Sequence, residues 1–332
     1  MIPSPSLQAY HIRVRATATG PLELNEYSGS SFRGALFNAL WGRFCVNKEA
    51  PVCANCPLVQ SCPVSSLVAP LRDEAARGRD VPRPYAIRPP IPNGHAHAFQ
   101  QGDSFDFGLT LFGCRIELFP YIAISLQEMS HRGIGRRIQD NEWQRGRFVV
   151  DDVQVHNLLT GEAKAIPTGS PSTVRMQVPD VPTTCIDAEL FARTLPKEQL
   201  TLHFLTPARL IEENKLLQRP LLGPLTQRLL ERHDSLAREY GGTAFDEQTR
   251  NELTAIAEKV EIQRDETKWT EVRSYSRRQR RGIAISGLKG TVIYRGNLQP
   301  LLPLLAWGMV LQVGKGTTKG NGIYQIDRNT LC

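Results

Sequence analysis

The sequence predicts an α+β protein made of two tandem ferredoxin-like domains, each with the RRM-like order βαββαβ. Segments with strand and helix periodicity follow one another in the same order in both halves of the 332-residue chain. A glycine-rich loop follows the last helix of each half, and a stretch rich in Pro, Gly, Ser and Thr at 164–183 separates the halves. We therefore expect an amino-terminal domain at 1–170 and a carboxy-terminal domain at 184–332.

The amino-terminal half opens with alternating apolar and polar residues at 11–19, which predict a half-buried strand. Apolar residues at helical spacing follow, with Ser30 or Ser31 as the predicted N-cap. The remaining predicted elements are extended segments at 85–91 and 104–112, a helix at 118–129, a loop around Gly133 and Gly135, and a strand at 148–156.

The carboxy-terminal half repeats this order, with its helical region divided at Gly241-Gly242. Its predicted elements are a strand at 201–205, helices at 221–240 and 251–260, extended segments at 269–275, 282–285 and 291–294, a helix at 298–311, a glycine-rich loop at 314–322 and a strand at 323–326. Any mixed α/β chain can be divided into such units. Arginine runs and glycine loops at matching places in both halves nevertheless favour a duplicated fold.

Two arginine clusters stand out from a moderate positive net charge of +7. Each contains few acidic residues, and guanidinium groups are suited to bidentate phosphate contacts. A polyanionic partner is therefore favoured over two ordinary solvated faces. The residues that we expect to contact it are Arg132, Arg136 and Arg137 in the first half and Arg277, Arg278, Arg280 and Arg281 in the second.

The loop at 314–322 has the composition of a phosphate-contacting loop. Its glycines allow the backbone to approach a ligand closely, and cations and hydroxyls come from Lys315, Thr317, Thr318 and Lys319. It is not a nucleotide-hydrolysing P-loop, because Gly-x-x-x-x-Gly-Lys-Ser/Thr does not occur. It is not a dinucleotide-binding loop either, because such a loop opens a helix after a strand. A flexible turn without a ligand is the alternative.

Four cysteines at 45–62 have the pattern C-x7-C-x2-C-x5-C. Thiolates at such spacing can close a tetrahedral metal site, and a polar loop has no core in which to bury unrelated thiols. We expect a small metal-binding loop inserted in the first domain, with structural zinc, or an iron–sulfur cluster as the alternative. The expected ligands are Cys45, Cys53, Cys56 and Cys62.

The chain has no segment with the ~18 apolar residues of a membrane span. Its first residues lack the basic and apolar regions of a signal peptide. We therefore expect a cytoplasmic protein with no membrane partner, in which disulfides are the less favoured use of cysteine.

Several motifs together resemble those of a known family. The segment RGIAISGLKGTVIY at 281–294, followed by VGKGTTKGNGIY at 313–324, is similar to the carboxy-terminal half of the CRISPR repeat-RNA processing endoribonucleases of the RAMP superfamily. In the first half, FRGAL at 32–36, the cysteine cluster and Gly133-Ile134-Gly135 before Arg147-Phe148 match the same family. The resemblance covers most of the chain and is most specific at 314–322.

The resemblance implies a CRISPR function in antiviral defence. The substrate would be the precursor CRISPR transcript, bound and cut once in each repeat without a metal ion. The 2′-hydroxyl would attack the adjacent phosphorus to give a 2′,3′-cyclic phosphate and a 5′-hydroxyl, which requires a base, an acid and a cation near the phosphate. Repeat RNA or crRNA, other effector subunits and a second copy of the chain are the implied partners.

Many members of the family that the chain resembles place a histidine in or near the first helix, whereas this helix has Asn38 and no histidine. We expect Tyr27, just before the helix, and Arg33 within it to take part in catalysis. His131, beside the first glycine loop, is the expected acid or base. Each residue also has a structural alternative. Tyr27 could only pack at a loop, Arg33 could only pair with an acid, and His131 could be a solvated loop residue.

Two other functions stay open from the sequence. The missing helix histidine is compatible with a non-catalytic crRNA-binding RAMP subunit of a CRISPR effector complex. A general basic RNA-binding protein or a metal-cluster protein, unrelated to CRISPR, is a weaker alternative. Incubation with the protein's own repeat RNA and a chelator separates the first two, because only the nuclease cuts.

Overall fold

The computed structural model describes residues 5–50, 53–70, 81–91, 97–167, 178–213, 215–276 and 281–328. The elements of the first half are strands β1 Ala9–Ala18, β2 Leu22–Leu24, β3 Tyr85–Arg88, β4 His97–Phe99, β5 Ser104–Phe112, β6 Ile134–Ile138, β7 Gln144–Gly146, β8 Phe148–His156 and β9 Ala163–Ala165, and helices α1 Gly29–Phe44, α2 Pro63–Val68 and α3 Phe119–Arg132. The elements of the second half are helices α4 Cys185–Ala192, α5 Leu222–Tyr240, α6 Glu247–Glu258 and α7 Leu302–Leu311, and strands β10 Gln199–Ala208, β11 Ile211–Glu212, β12 Lys215–Leu216, β13 Glu261–Asp265, β14 Lys268–Thr270, β15 Arg273–Ser276, β16 Arg281–Ala284, β17 Gly287–Arg295 and β18 Tyr324–Asp327.

The first half forms an antiparallel sheet in the order β9-β8-β1-β5-β3. Strand pairing sets Ile12 opposite both Leu109 and Val155, so that apolar side chains of three strands share one face. Helices α1 and α3 cover this face, where the ring of Phe32 lies 4.7 Å from the ring of Phe107. Apart from the edge strand β9, the strand order fits a ferredoxin-like unit.

The second half forms an antiparallel sheet in the order β13-β17-β10-β18, and β14 also pairs with β17. This order again fits a ferredoxin-like unit. The rings of Phe204 on β10 and Tyr324 on β18 meet edge to face at 5.9 Å. Both are buried against α5 and α7, which supply Leu229 and Leu305 to the same core.

The two halves are joined by a shared core. The buried cluster of the second half includes three side chains of the first sheet, namely Ala9, Ala86 and Phe112. Polar contacts cross the same junction: the Arg88 guanidinium donates to Met309 O at 3.1 Å, and Gln312 Nε2 donates to Ile87 O at 2.9 Å. Burial lowers the pKa of Arg88 to about 10. The second domain is therefore packed directly on the first sheet.

Some boundaries differ from the predictions for local reasons. Helix α1 begins at Gly29, so the predicted caps Ser30 and Ser31 lie inside its first turn. Helix α6 starts earlier than predicted, because Asp246 accepts a hydrogen bond from the Thr249 amide and caps it. The predicted loop around 133–137 is instead a hairpin of β6 and β7. The separating stretch begins with the edge strand β9, and 168–177 lies outside the described residues.

Within the described ranges, no helix has the length and apolar character needed to cross a membrane.

Candidate active site at the domain junction

The amino-terminal end of α1 lies directly against the carboxy-terminal glycine loop. A Cβ atom at Gly29 would lie 2.0 Å from Lys319 O, so the two backbones touch at a position that only glycine allows. On its other side, the loop packs Gly320 against Pro89, which follows β3. The loop is therefore held between two elements of the first domain.

Backbone hydrogen bonds fix the shape of this loop. The amide of Lys319 donates to Gly316 O at 2.7 Å, and the amide of Gly322 donates to Pro207 O at 3.0 Å. The Asn321 side chain donates to Ile285 O at 2.7 Å. The loop glycines 314, 316, 320 and 322 have φ angles of +79°, +90°, +76° and +73°. These contacts favour a rigid loop over the flexible turn that the sequence left open.

Lys319 reaches from the loop toward α1. Its Nζ donates to Ser274 Oγ at 3.2 Å, and Ser30 of α1 donates to the same oxygen at 2.9 Å. Burial lowers the pKa of Lys319, and the nearby guanidinium groups of Arg33 and Arg83 lower it further. Among the described residues, neither Lys319 nor Arg33 forms an ion pair with a carboxylate. The junction therefore holds cationic charge that an anion could balance.

Tyr27 lies just before α1 and is held by the second domain. Lys289 Nζ on β17 lies 5.4 Å from the centroid of the Tyr27 ring and donates to the tyrosine hydroxyl at 3.3 Å. The same ammonium lies 3.4 Å from Glu26 Oε1. Burial raises the pKa of Tyr27, and the hydrogen bond and charge of Glu26 raise it further. The Tyr27 hydroxyl therefore stays protonated at neutral pH and can act as a hydrogen donor.

The structure brings Tyr27 and Arg33 to one end of α1, and it places His131 at the other. His131 is exposed in the last turn of α3. The next residue, Arg132, lies beside Gly42 in the last turn of α1, with Nη2 3.0 Å from the position of a Cβ at Gly42. At ~1.5 Å per residue, the rise from Gly29 to Gly42 is roughly 20 Å. His131 and Tyr27 thus belong to separate regions of the surface.

The arginines predicted to contact RNA have different environments. Arg132 is ion-paired with Glu128, and Arg136 Nη1 lies 3.6 Å from Glu23 Oε2. Arg137 is exposed on β6. Arg277, Arg278 and Arg280 lie outside the described residues, and for Arg281 the structure describes only the backbone, in β16.

The predicted phosphate-contacting residues of the glycine loop are not equally accessible. Lys315 is exposed, and Thr318 and Lys319 are half-buried. Thr317 is buried, with only 4% of its surface exposed. A ligand on the loop surface can therefore reach three of the four side chains.

The cysteine cluster lies at the far end of α1. Cys45 ends the helix, Cys53 and Cys56 flank a short turn, and Cys62 precedes α2. All four thiols are half-buried and free of disulfides. The pKa of Cys53 is raised by burial and also by each of the other three thiols, so the four groups lie near one another.

The donor set of this cluster suits zinc or an iron–sulfur cluster chemically. In the part of the chain that the structure describes, however, no three His, Cys, Asp or Glu side chains are arranged to hold a metal ion. The predicted metal loop therefore stays a prediction.

Five residues of the junction were not predicted from the sequence. They are Glu26, Ser30 (for its side-chain contact), Arg83, Ser274 and Lys289. Lys289 lies in the 281–294 segment that carries the family resemblance, which was the only available signal. Ser274 and Glu26 belong to no motif. Their importance comes from the packing of one domain on the other.

Two family models match the chain. The AF_1859_N model, described as an N-terminal domain, matches residues 7–178, which is more than half of the chain. The model of the CRISPR-associated endoribonuclease Cas6 matches residues 202–324. None of the curated proteins compared with the chain matches it.

Several solved structures share the fold. A Cas6 (TTHB231) product complex has a TM-score of 0.56 and 16% identity, with 96% of this chain and 100% of that chain covered. Thermus thermophilus Cas6 (TTHB231) has a TM-score of 0.53 and 15% identity, covering 98% of this chain and 100% of that chain. A partial Cas6-RT-Cas1–Cas2 complex has a TM-score of 0.58 and 13% identity, covering 98% of this chain and 47% of that chain. The chain therefore belongs to the AF_1859_N family, and its residues 202–324 are similar to the CRISPR-associated endoribonuclease Cas6.

Proposed function

We propose that this chain is a CRISPR pre-crRNA processing endoribonuclease that binds repeat RNA and cuts it once in each repeat. The observation that carries the proposal is the junction between α1 and the carboxy-terminal glycine loop, which gathers Tyr27, Arg33 and Lys319. The protonated hydroxyl of Tyr27 lies at the same end of α1 as Arg33 and Lys319, two cations without a carboxylate partner among the described residues, and this combination suits a bound phosphodiester. The Cas6 model at 202–324 and the similar fold of a Cas6 product complex support the same function.

The proposed reaction is attack by the 2′-hydroxyl oxygen on the adjacent phosphorus. That oxygen forms a bond to phosphorus as the bond to the 5′-oxygen breaks, which leaves a 2′,3′-cyclic phosphate and a 5′-hydroxyl. The 2′-hydroxyl proton passes to a base, and the leaving 5′-oxygen takes a proton from an acid. The reaction requires no metal ion.

Each junction side chain has a proposed role in this reaction. Tyr27 is the acid, since its raised pKa keeps the hydroxyl protonated. Lys319 is the base, because its lowered pKa increases the fraction of neutral amine. Arg33 stabilises the negative charge that develops on the phosphate oxygens.

His131 is the competing candidate for proton transfer, and it would act only if the scissile phosphate were bound at the other end of α1. Single-turnover cleavage by Tyr27→Phe and His131→Ala variants separates the two positions. We expect Tyr27→Phe to slow cleavage roughly 100-fold or more and His131→Ala to have little effect. The reverse result would place the active site beside α3.

The test of the function is incubation of the protein with its own repeat RNA and a chelator. Cleavage at one site, abolished by a single 2′-deoxy substitution upstream of that site, supports the nuclease. Tight binding without cleavage would instead support a non-catalytic crRNA-binding subunit of an effector complex. The nuclease proposal would then be withdrawn.

The RNA-binding surface is proposed to include both arginine clusters and the exposed part of the glycine loop. The proposed residues are Arg132, Arg136, Arg137, Arg277, Arg278, Arg280, Arg281, Lys315, Thr317, Thr318 and Lys319, of which Thr317 is buried. Neutralising the second arginine cluster should flatten the salt dependence of binding, because fewer counterions are released. An unchanged salt slope would exclude phosphate contacts by that cluster.

We also propose that Cys45, Cys53, Cys56 and Cys62 hold a structural zinc ion, with an iron–sulfur cluster as the alternative. Zinc bound there would fix the end of α1 to α2, and it takes no part in the cleavage. The proposed setting is the cytoplasm, where the protein works on CRISPR transcripts with other effector subunits or as a homodimer.

A further inference from the structure

Helix α1 has large apolar side chains on both of its faces. Its inner face buries Phe32, Leu36, Ala39 and Leu40 in the first core. On the outer face, Phe37 is 39% exposed and Trp41 is 38% exposed. The two aromatic residues are four positions apart, so they lie one above the other on the helix surface. The core of the domain does not require them.

The outer face leads directly from the proposed active site to these aromatic residues. Ser30, at the start of the face, donates to Ser274, which also binds Lys319. Gly34 follows one turn later, and no atom lies within 4 Å of the position of a Cβ there. Between the proposed scissile phosphate and Phe37, the helix surface at Gly34 is therefore open and carries no projecting side chain.

The charge of this face suits a polyanion. Helix α1 contains Arg33 and Arg43 and no aspartate or glutamate. Lys48 Nζ lies 5.6 Å from the centroid of the Trp41 ring and donates to Gly42 O at 3.2 Å. Exposed aromatic rings bordered by cations, without acids on the same helix, are typical of platforms for single-stranded nucleic acid. They are less typical of a protein-docking face, whose core is depleted of charge.

We propose that the outer face of α1 binds the single-stranded RNA next to the scissile phosphate, with one base stacked on Phe37 and another on Trp41. This proposal rests on the proposed RNA-processing function. Because Gly34 has no side chain, the backbone of the RNA can pass over it from the junction to the aromatic rings. Lys48 and Arg43 hold the phosphates beside the second base.

The test compares Phe37→Ala, Trp41→Ala and Trp41→Phe with the wild type. Each alanine variant should bind repeat RNA with its flanking single strand roughly tenfold more weakly, since an aromatic platform is lost. Trp41→Phe keeps a ring and should bind like the wild type. The salt slope should be the same in all variants, because stacking releases no phosphate counterions. Leu190→Ala removes an exposed apolar side chain from α4 and is the matched control, expected to have no effect.

Tryptophan fluorescence gives a second readout. Stacking of a base should quench Trp41, so the wild type should lose more emission on RNA binding than Trp41→Phe does. If the wild type binds and cuts repeat RNA while both alanine variants match it, the stacking proposal is wrong and a protein partner becomes the better occupant. If the wild type neither binds nor cuts repeat RNA, the proposed function fails, and the stacking proposal fails with it.

Discussion

The ammonium group of Lys289 lies over the ring of Tyr27, 5.4 Å from its centroid, although the two residues belong to different domains. It also donates to the tyrosine hydroxyl at 3.3 Å and lies 3.4 Å from Glu26 Oε1. The position of the proposed acid therefore depends on a strand of the second domain.

Replacing Lys289 with methionine should slow RNA cleavage while RNA binding is largely retained, because Tyr27 loses the group that positions it. The lost cation–π and ionic contacts should lower the free energy of unfolding by about 1 kcal/mol. Single-turnover rates of Lys289→Met, Tyr27→Phe and the double variant test the coupling. If Lys289 acts through Tyr27, the double variant should cut no more slowly than Tyr27→Phe. If the rate reduction of the double variant instead equals the product of the two single reductions, Lys289 acts independently of Tyr27.

Replacing Lys319 with methionine should stabilise the protein at neutral pH and slow cleavage. The folded pKa of Lys319 is lowered, mainly by burial, so the unfolded chain binds more protons between that value and about 10.4. Wild-type stability therefore rises with pH through this window, and the advantage of the variant should shrink as pH increases. Chemical denaturation of the wild type and the variant at several pH values measures this difference in unfolding free energy. Lys315→Met, at an exposed position in the same loop, is the control and should shift stability by less than about 0.5 kcal/mol.

The protein should lose stability in mild acid because His11 is buried in its neutral form. Burial lowers the pKa of His11 well below its usual value, and Arg88, His156 and Arg13 lower it further. Below about pH 6.5, the unfolded chain gains a proton that the folded ring does not, so the folded state is disfavoured. His11→Gln should flatten the fall in unfolding free energy between about pH 7 and 5. An equal slope in the wild type and in His11→Gln would contradict this explanation.

Substitution by alanine should have opposite effects at two glycines in the first half of α1, disrupting the packing at one and stabilising the helix at the other. At Gly29, a Cβ would lie 2.0 Å from Lys319 O, so Gly29→Ala must push the loop away from the helix and should abolish efficient cleavage. At Gly34, the Cβ would meet no atom within 4 Å, so Gly34→Ala should raise the free energy of unfolding by up to about 1 kcal/mol through helix propensity. Urea denaturation of both variants provides the comparison. Equal stability of the two would mean that the loop does not press on Gly29.

Protein purified without air should contain one zinc ion per chain, or iron and sulfide if the alternative holds. Replacing Cys53 and Cys56 with serine should release the metal and lower the thermal stability, because the segment after α1 loses its cross-link. Elemental analysis of the wild type and this variant gives the answer. Absence of both zinc and iron from the wild type would refute the metal loop.

The sequence predicted the order of elements well, since that order depends on local periodicity. The strand Phe148–His156 has the predicted bounds, and helix α5 differs from its prediction by one residue. The candidate site was predicted less completely, because it forms where two distant segments pack together. Ser30 and Ser274 are 244 positions apart, and no local pattern joins them.

His131 and Phe37 show two further limits of local patterns. His131 is next to a glycine motif in sequence, but the direction of α3 carries it away from Tyr27. Phe37 is an apolar residue of the kind usually found in a core. It is exposed because the opposite face of α1 is the one that packs on the sheet. In both cases the decisive information is which side of a helix faces its neighbour.

The shared core also determines how the chain responds to being divided. Ala9, Ala86 and Phe112 of the first sheet complete the apolar cluster of the second half, and the buried Arg88 has its acceptor across the junction. Neither half can satisfy these groups by itself. Fragments cut within 168–177 would each expose apolar surface, and the first would leave the Arg88 guanidinium without its acceptor at Met309. Despite its duplicated architecture, the protein should melt in a single cooperative transition.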